Sequence, residues 1–326
     1  MPVLEDAMRR LDPWHHHTDA EPLAPPPISA RAAIGLLVVY TLVYFLPFYA
    51  SRTTRPSPTL SRDVPSVIRA RIRSVVTSCL VCYAATYAVL VGPAGASTAE
   101  VLHLIGLWPP ALAESVRAVA LTALLFAGPL FSYLVVDDGW RDWLCLDPLR
   151  DVWDDWLTWR NIVAGPVTEE VLFRSASVPL MLIAHTPVKQ TIFLSPVLFG
   201  LAHVHHFYEF RLTNPQVPAA AALLRSLFQL SFTTVFGAYA TFVFVRTGSL
   251  LAVCAVHAFC NSMGLPRVWG RVQPSSSREQ RQQQHSVLWT VAYYALLIGG
   301  AIAFWKNLWS LTESSNTLLP ALAFTK

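Results

Sequence analysis

Apolar residues fall in long runs, several near the ~20 residues a helix needs to cross a bilayer core of ~30 Å, and polar or proline-bearing loops separate them. Eight such runs are legible, at about 32–50, 74–92, 116–136, 166–183, 190–204, 223–245, 249–266 and 287–305. The pattern predicts an all-α fold, a polytopic membrane helix bundle of about eight transmembrane helices. A shorter stretch, VLHLIGLWPP, ends in Pro109 and Pro110, which cannot continue a helix, and is expected to lie at the membrane interface. The connector DDGWRDWLCLDPLRDVWDDWLTWR is rich in Asp and Trp, and its indoles suit the headgroup layer. The chain therefore divides into a polar N-terminal tail (1–30), N-terminal transmembrane helices (31–138), the connector (139–158), a transmembrane core (159–310) and a C-terminal tail (311–326).

Composition agrees with the pattern. With 54% hydrophobic and only 13% charged residues in 326, the chain is too apolar to hide its surface in one soluble core. The first 30 residues lack the basic-then-apolar design of a cleaved signal peptide, so the first membrane helix is expected to act as its own insertion signal. Arg52, Arg55, Arg62, Arg69, Arg71 and Arg73 follow the first run, and Arg267, Arg271, Arg278 and Arg281 follow the seventh. By the positive-inside rule both loops are cytosolic, which puts both termini on the other face. The segment QPSSSREQRQQQH in the second of these loops reads as a mobile linker.

A net charge of +4 is small, and the arginines sit beside membrane spans without interleaved aromatics, so nucleic acid is not indicated. Five cysteines show neither a disulfide framework nor zinc-knuckle spacing. Cys79 and Cys82 form a C-x-x-C inside an apolar span and read as core packing. The run His15, His16, His17 reads as solvated tail.

The fourth run contains GPVTEEVLFR, residues 165–174, with Glu169, Glu170 and Arg174 in otherwise apolar sequence. A charged side chain at a helix centre costs roughly 2.5 to 3.5 kcal/mol on insertion scales, so three of them require compensation. Glu170 and Arg174 are four apart with the glutamate first, which lets them neutralise each other on one helical face. Read alone, that pair serves equally well as a structural polar knot. Glu169 points about 100° away around the helix and has no partner within it; an unpaired intramembrane acid marks a functional site.

Its partners must come from other runs. FGLAHVHH places Phe199 and His203 four apart, followed by His205 and His206, and HAFCN places His257 and Asn261 four apart. One histidine in an apolar helix is ordinarily a hydrogen-bonded core residue, but three runs offering polar side chains point to a shared site. Glu169 and His203 can share a water and remove its proton as it attacks a carbonyl. His257 and Asn261 can donate to the oxyanion that forms, with no serine or cysteine nucleophile. Zinc ligation by the glutamate and histidines is an alternative, although neither H-E-x-x-H nor H-x-x-E-H occurs. A transporter with Glu169 as proton relay is another, but it calls for internal repeats that the sequence does not show.

The ordered set E-E-x-x-x-R, F-x-x-x-H and H-x-x-x-N, with the intervening FTTVFGAYATFVFVRTGSLLA, resembles the type II CAAX prenyl endopeptidases, in particular their eukaryotic members, over about 159–267. The resemblance implies removal of the last three residues of farnesylated or geranylgeranylated C-a-a-X proteins, such as Ras-like GTPases, at the endoplasmic reticulum membrane. It implies an intramembrane cavity open to the cytosol and no metal or cofactor. It assigns water activation to Glu169 and His203, the oxyanion site to His257 and Asn261, and the orienting of Glu169 to Glu170 and Arg174. All six positions are intact. A non-proteolytic scaffold of the same superfamily is the alternative from another class.

Overall fold

Residues 25–274 and 286–319 are described in the computed structural model. The His15–His17 run, most of the QPSSSREQRQQQH segment and the last seven residues of the C-terminal tail lie outside the described residues.

Helices follow most of the apolar runs, with proline tolerated in first turns and, as Pro196, inside one of them. Helix α1 (Ala30–Phe45) begins at Ser29, whose Oγ accepts the Ala32 N–H at 3.2 Å. Helix α2 (Pro65–Val91) starts with proline in its first turn, where the missing N–H costs nothing. Its start lies nine residues before the apolar run, so Arg69, Arg71 and Arg73 belong to the helix and not to the preceding loop. Helix α3 (Thr98–Leu104) is a short element that begins at a Ser97–Glu100 capping box. Helix α4 (Leu112–Leu125) turns through 83° into α5 (Ala127–Phe131) and a following π-helical turn.

From Trp156 the chain stays helical through the charged motif. Helix α6 (Gly165–Glu170) lies between π-helical turns at Arg160–Ala164 and Val171–Ala176, wide turns that often occur at functional sites. Then come α7 (Val178–Ile183), α8 (Val188–Ala202), α9 (His205–Thr213), α10 (Ala219–Thr247), α11 (Leu250–Met263) and α12 (Ser286–Leu311). Among the described residues there is no strand, and the all-α polytopic bundle expected from the sequence is the fold.

The eight runs are not eight equal spans. Among the described residues, four helical segments are long and apolar enough to cross a membrane, or five if the bent α4–α5 pair is one span. The fourth, fifth and seventh runs form shorter pieces; α8 has 15 residues and α11 has 14. At 1.5 Å per residue neither spans a ~30 Å core. Every residue of α7 is buried, whereas α12 has only 11% of its apolar window buried inside the protein. The short helices carry the polar motifs.

Close approach depends on two glycines. Helix α8 packs along α10, and a Cβ on Gly237 would stand 2.7 Å from Pro196 Cβ and 3.0 Å from Arg174 Nη2. A Cβ on Gly200 would lie 2.6 Å from Leu230 Cδ1. The loop after α1, the connector, α9 and the end of α11 gather at one end of the bundle: Arg160 donates to Asp63, Arg62 to Glu209, and Asn261 to the Asn161 carbonyl. The C-terminal segment lies at the other end, where Leu318 N–H donates to the Val245 carbonyl at 2.8 Å and Leu250 N–H to that of Gly106.

Candidate active site

Glu170 and Arg174 form the expected pair at 3.0 Å, and both side chains are essentially sealed from solvent. The sequence does not reveal the second partner of that carboxylate. His257 Nδ1 lies 2.6 Å from the same Glu170 oxygen, so the glutamate joins the Arg174 segment to α11. The Arg174 guanidinium also lies over the Phe199 ring at 4.7 Å, a cation–π contact in a dry site. Phe199 thus sits against the charged knot while its carbonyl accepts from His203 Nδ1 at 3.0 Å.

Glu169 takes the other face of α6, as its rotation around the helix requires. Its side chain remains 20% exposed, and one oxygen is 3.9 Å from His257 Nε2. His257 therefore stands between the two adjacent glutamates, bonded to Glu170 and facing Glu169. Arg174 pairs with Glu170 and has no direct bond to Glu169. With Nδ1–H donated to Phe199, neutral His203 has Nε2 left as its acceptor. Asn261 spends one amide proton on the Asn161 carbonyl at 2.8 Å and has a second to offer. That Asn161 contact, made across 100 residues of sequence, has no signal in the motif spacing.

Two cavities meet here. One, of about 1100 Å³, is walled by apolar side chains including Phe193, Phe228, Phe232, Tyr239 and Phe304. The other, of about 190 Å³, is lined by Arg62, Arg71 and Arg160, by polar groups and by apolar side chains such as Ile68, Ile72, Val75 and Phe173. Four residues line both: Glu169, Phe199, His203 and Asn261. His257 lines the larger one. The residues singled out by motif thus converge on the junction of an apolar and a basic cavity.

The only group with metal-ligand spacing among the described residues is His205, His206 and Glu209, whose ligand-type atoms lie within 4.8 Å of one another. Its carboxylate is already occupied. Oε1 accepts from Arg71 at 2.7 Å, and Oε2 from Arg62 at 3.3 Å with His206 Nδ1 at 3.3 Å. Burial alone would raise the Glu209 pKa, but these donors and the two guanidinium charges hold it far below the usual carboxylate range. Two adjacent arginines make a poor seat for a divalent cation, and the trio contains neither Glu169 nor His203. The cluster is an ion-pair knot at the bundle end.

Comparison with known proteins identifies the family. A family model described as "Type II CAAX prenyl endopeptidase Rce1-like" matches residues 151–263. A Schizosaccharomyces pombe protein named "Probable CAAX prenyl protease 2" is 36% identical over 277 residues, 85% of this chain and 92% of the relative. The Homo sapiens "CAAX prenyl protease 2" is 36% identical over 236 residues, covering 67% of this chain and 68% of the relative. The Saccharomyces cerevisiae protein of that name is 29% identical over 312 residues, 85% and 94% of the two chains. No solved structure matches. The residues at the cavity junction lie within or beside the matched segment, the S. pombe relative aligns over nearly its whole length, and the chain belongs to the type II CAAX prenyl endopeptidase family.

Proposed function

We propose that this CAAX prenyl endopeptidase releases the C-terminal tripeptide of farnesylated or geranylgeranylated proteins, Ras-like GTPases among them, with a water activated by Glu169 and His203. One observation carries the reading: the four residues shared by the two cavities include Glu169 and His203. A prenylated C-a-a-X end has a lipid part and a peptide part joined at the prenylcysteine, and the cavities offer one environment to each. Each prenyl CH₂ taken into the apolar cavity is worth about 0.8 kcal/mol, which helps hold the scissile amide at the junction.

In the proposed step, the Glu169 carboxylate and His203 Nε2 take the proton of a water as its oxygen adds to the prenylcysteine carbonyl carbon. The developing oxyanion accepts from the second Asn261 amide proton and, with His257 as imidazolium, from His257 Nε2. Collapse breaks the amide bond, and the proton held by Glu169 and His203 passes to the departing tripeptide amine. Glu170 and Arg174 act by positioning: their ion pair fixes the His257 ring, whose Nε2 is then presented towards Glu169. A pre-aimed donor of this kind is worth several kcal/mol in a dry site.

We place the chain in the endoplasmic reticulum membrane with the basic cavity facing the cytosol. The arginine-bearing loop after α1, the connector, α9 and the end of α11 share one end of the bundle, and positive-inside bias assigns that end to the cytosol.

The test is tripeptide release from a farnesylated C-a-a-X peptide by the purified protein. Glu169→Ala and His203→Ala should each lose at least about 10²-fold in kcat/KM, with expression and detergent-solubilised size unchanged, and a chelator should leave the parent rate as it was. Normal turnover by either variant would sink the water-activating pair. Loss with chelator restored by zinc would favour the metal reading, and no release by the parent would favour the scaffold.

A further inference from the structure

The apolar cavity has an evident occupant in the prenyl chain, whereas the basic one calls for an anion. Arg62, Arg71 and Arg160 line it and come from the loop after α1, from α2 and from the connector. Arg71, only 13% exposed, donates from Nε to the Thr54 carbonyl and from Nη2 to Glu209. The other two are more open, Arg160 at 21% and Arg62 at 40%. Arg62 donates from Nη1 to Glu209. Arg160 donates from Nη1 to Asp63 and from Nε to Asn161 Oδ1. Neither Nη2 has a partner among the described residues. Glu209 and Asp63 pair with these guanidiniums, and the third nearby carboxylate, Glu169, stands at the junction with the apolar cavity.

We infer that this cavity is the subsite for the free C-terminal carboxylate of the substrate, with Arg62 and Arg160 as its receptors. The inference rests on the endopeptidase reading above and adds how the enzyme measures the end of the chain. Reach agrees with it. The His203 and His206 rings are 5.7 Å apart, and Arg62 Nη1 is 3.2 Å from His206 Nδ1. The guanidinium therefore lies no farther from His203 than the roughly 10 Å that three extended residues span. A carboxylate three residues beyond the scissile bond arrives where the unpaired N–H groups are, and guanidinium is the side chain best shaped to take it. A longer C-terminal tail would have to drive past these arginines, so the same contact gives a physical reason for cutting three residues from an end and not within a chain.

The experiment compares one farnesylated C-a-a-X peptide as free acid and as C-terminal amide, assayed with the parent, Arg62→Gln and Arg160→Gln. The parent should prefer the acid by about 10- to 100-fold in kcat/KM, the value of a charge-assisted hydrogen-bond pair. In each variant the acid-to-amide ratio should fall to within a few-fold of unity, with Arg62→Lys or Arg160→Lys restoring part of it. A parent that cuts both peptides equally overturns the carboxylate subsite and leaves the endopeptidase reading standing. Variants that keep the parent's preference overturn the arginine assignment. A parent that cuts neither peptide removes the endopeptidase reading, and the inference falls with it. Should Arg62→Gln fail to fold because it exposes Glu209, Arg160→Gln decides, since its carboxylate partner Asp63 is half-exposed.

Discussion

The bundle holds two buried carboxylates in knots of the same composition, each with arginine and imidazole, and the knots are satisfied to different degrees. Glu209, at the bundle end, uses both oxygens, one for Arg71 and one for Arg62 and His206. Glu170, in the interior, places both of its bonds on Oε1, from Arg174 and His257, while its Oε2 and Arg174 Nη2 are buried without a partner. An orphaned buried polar atom costs about 1 to 3 kcal/mol, so the interior knot is the less favourable way to hold a charge. It does what the outer knot does not: it fixes one face of an imidazole and leaves the other for Glu169. The outer knot joins the loop after α1, α2 and α9; the inner one aims a side chain.

Removing one partner from each knot separates these roles. Arg174→Ala strands Glu170 in a site with no exposure, and a destabilisation of about 3 to 5 kcal/mol is expected. Thermal unfolding in detergent should show the loss, and Glu170→Ala with Arg174→Ala should together cost less than the sum of the single changes. Additive losses would mean that the two side chains do not share their energy. Glu209→Gln should cost less, because the guanidiniums it releases, at 13% and 40% exposed, can find water.

Linkage gives a second measurement for the outer knot. The folded-state pKa of Glu209 lies below its unfolded value, so its stabilisation is complete above about pH 4.3 and is lost as pH falls through the folded value. Glu209→Gln should therefore be less stable than the parent at neutral pH and converge on it in strong acid. A constant gap at all pH values would show that the carboxylate's charge is not what the knot uses.

The two knots were also unequally legible in the sequence. Glu170 and Arg174 are four apart, so helical periodicity alone pairs them. Glu209 and its arginines are separated by 138 and 147 residues, and no local pattern joins them; only the three-residue step from His206 to Glu209 hints at a cluster. Helix type was readable because apolar run length reports it directly. The short lengths of α8 and α11 were not, since hydropathy does not say whether an apolar segment faces lipid or protein. Likewise Glu169, His203, His257 and Asn261 stood out as polar residues in apolar runs, while the bond from His257 to Glu170 depends on how α11 packs beside α6.

The smallest effect expected distinguishes the knots by their access to water. His205, beside the outer knot, stacks on Phe45 with ring centroids 5.4 Å apart and donates from Nδ1 to the Ala202 carbonyl, while its Nε2 is buried without a partner. Burial, with the neighbouring His206, pushes its pKa down to about 3 against the pull of that carbonyl and of Glu209. The unfolded chain would take up the proton near pH 6.5, so the unfolded state binds more protons throughout the interval between the two values. Stability associated with His205 is thus full above about pH 6.5 and declines as pH falls towards about 3. Over the first pH unit of that interval the loss is at most about 1 kcal/mol. His206, also lowered chiefly by burial, adds a loss of the same sign. His205→Phe keeps an aromatic ring against Phe45 and removes the proton site, so the parent's lead over the variant should shrink by about 1 kcal/mol between pH 6.5 and 5.5. Unfolding curves at those two pH values suffice to measure it. If parent and variant lose stability in parallel, the folded protein takes up a proton at His205 as readily as the unfolded chain does, and burial does not keep that imidazole neutral.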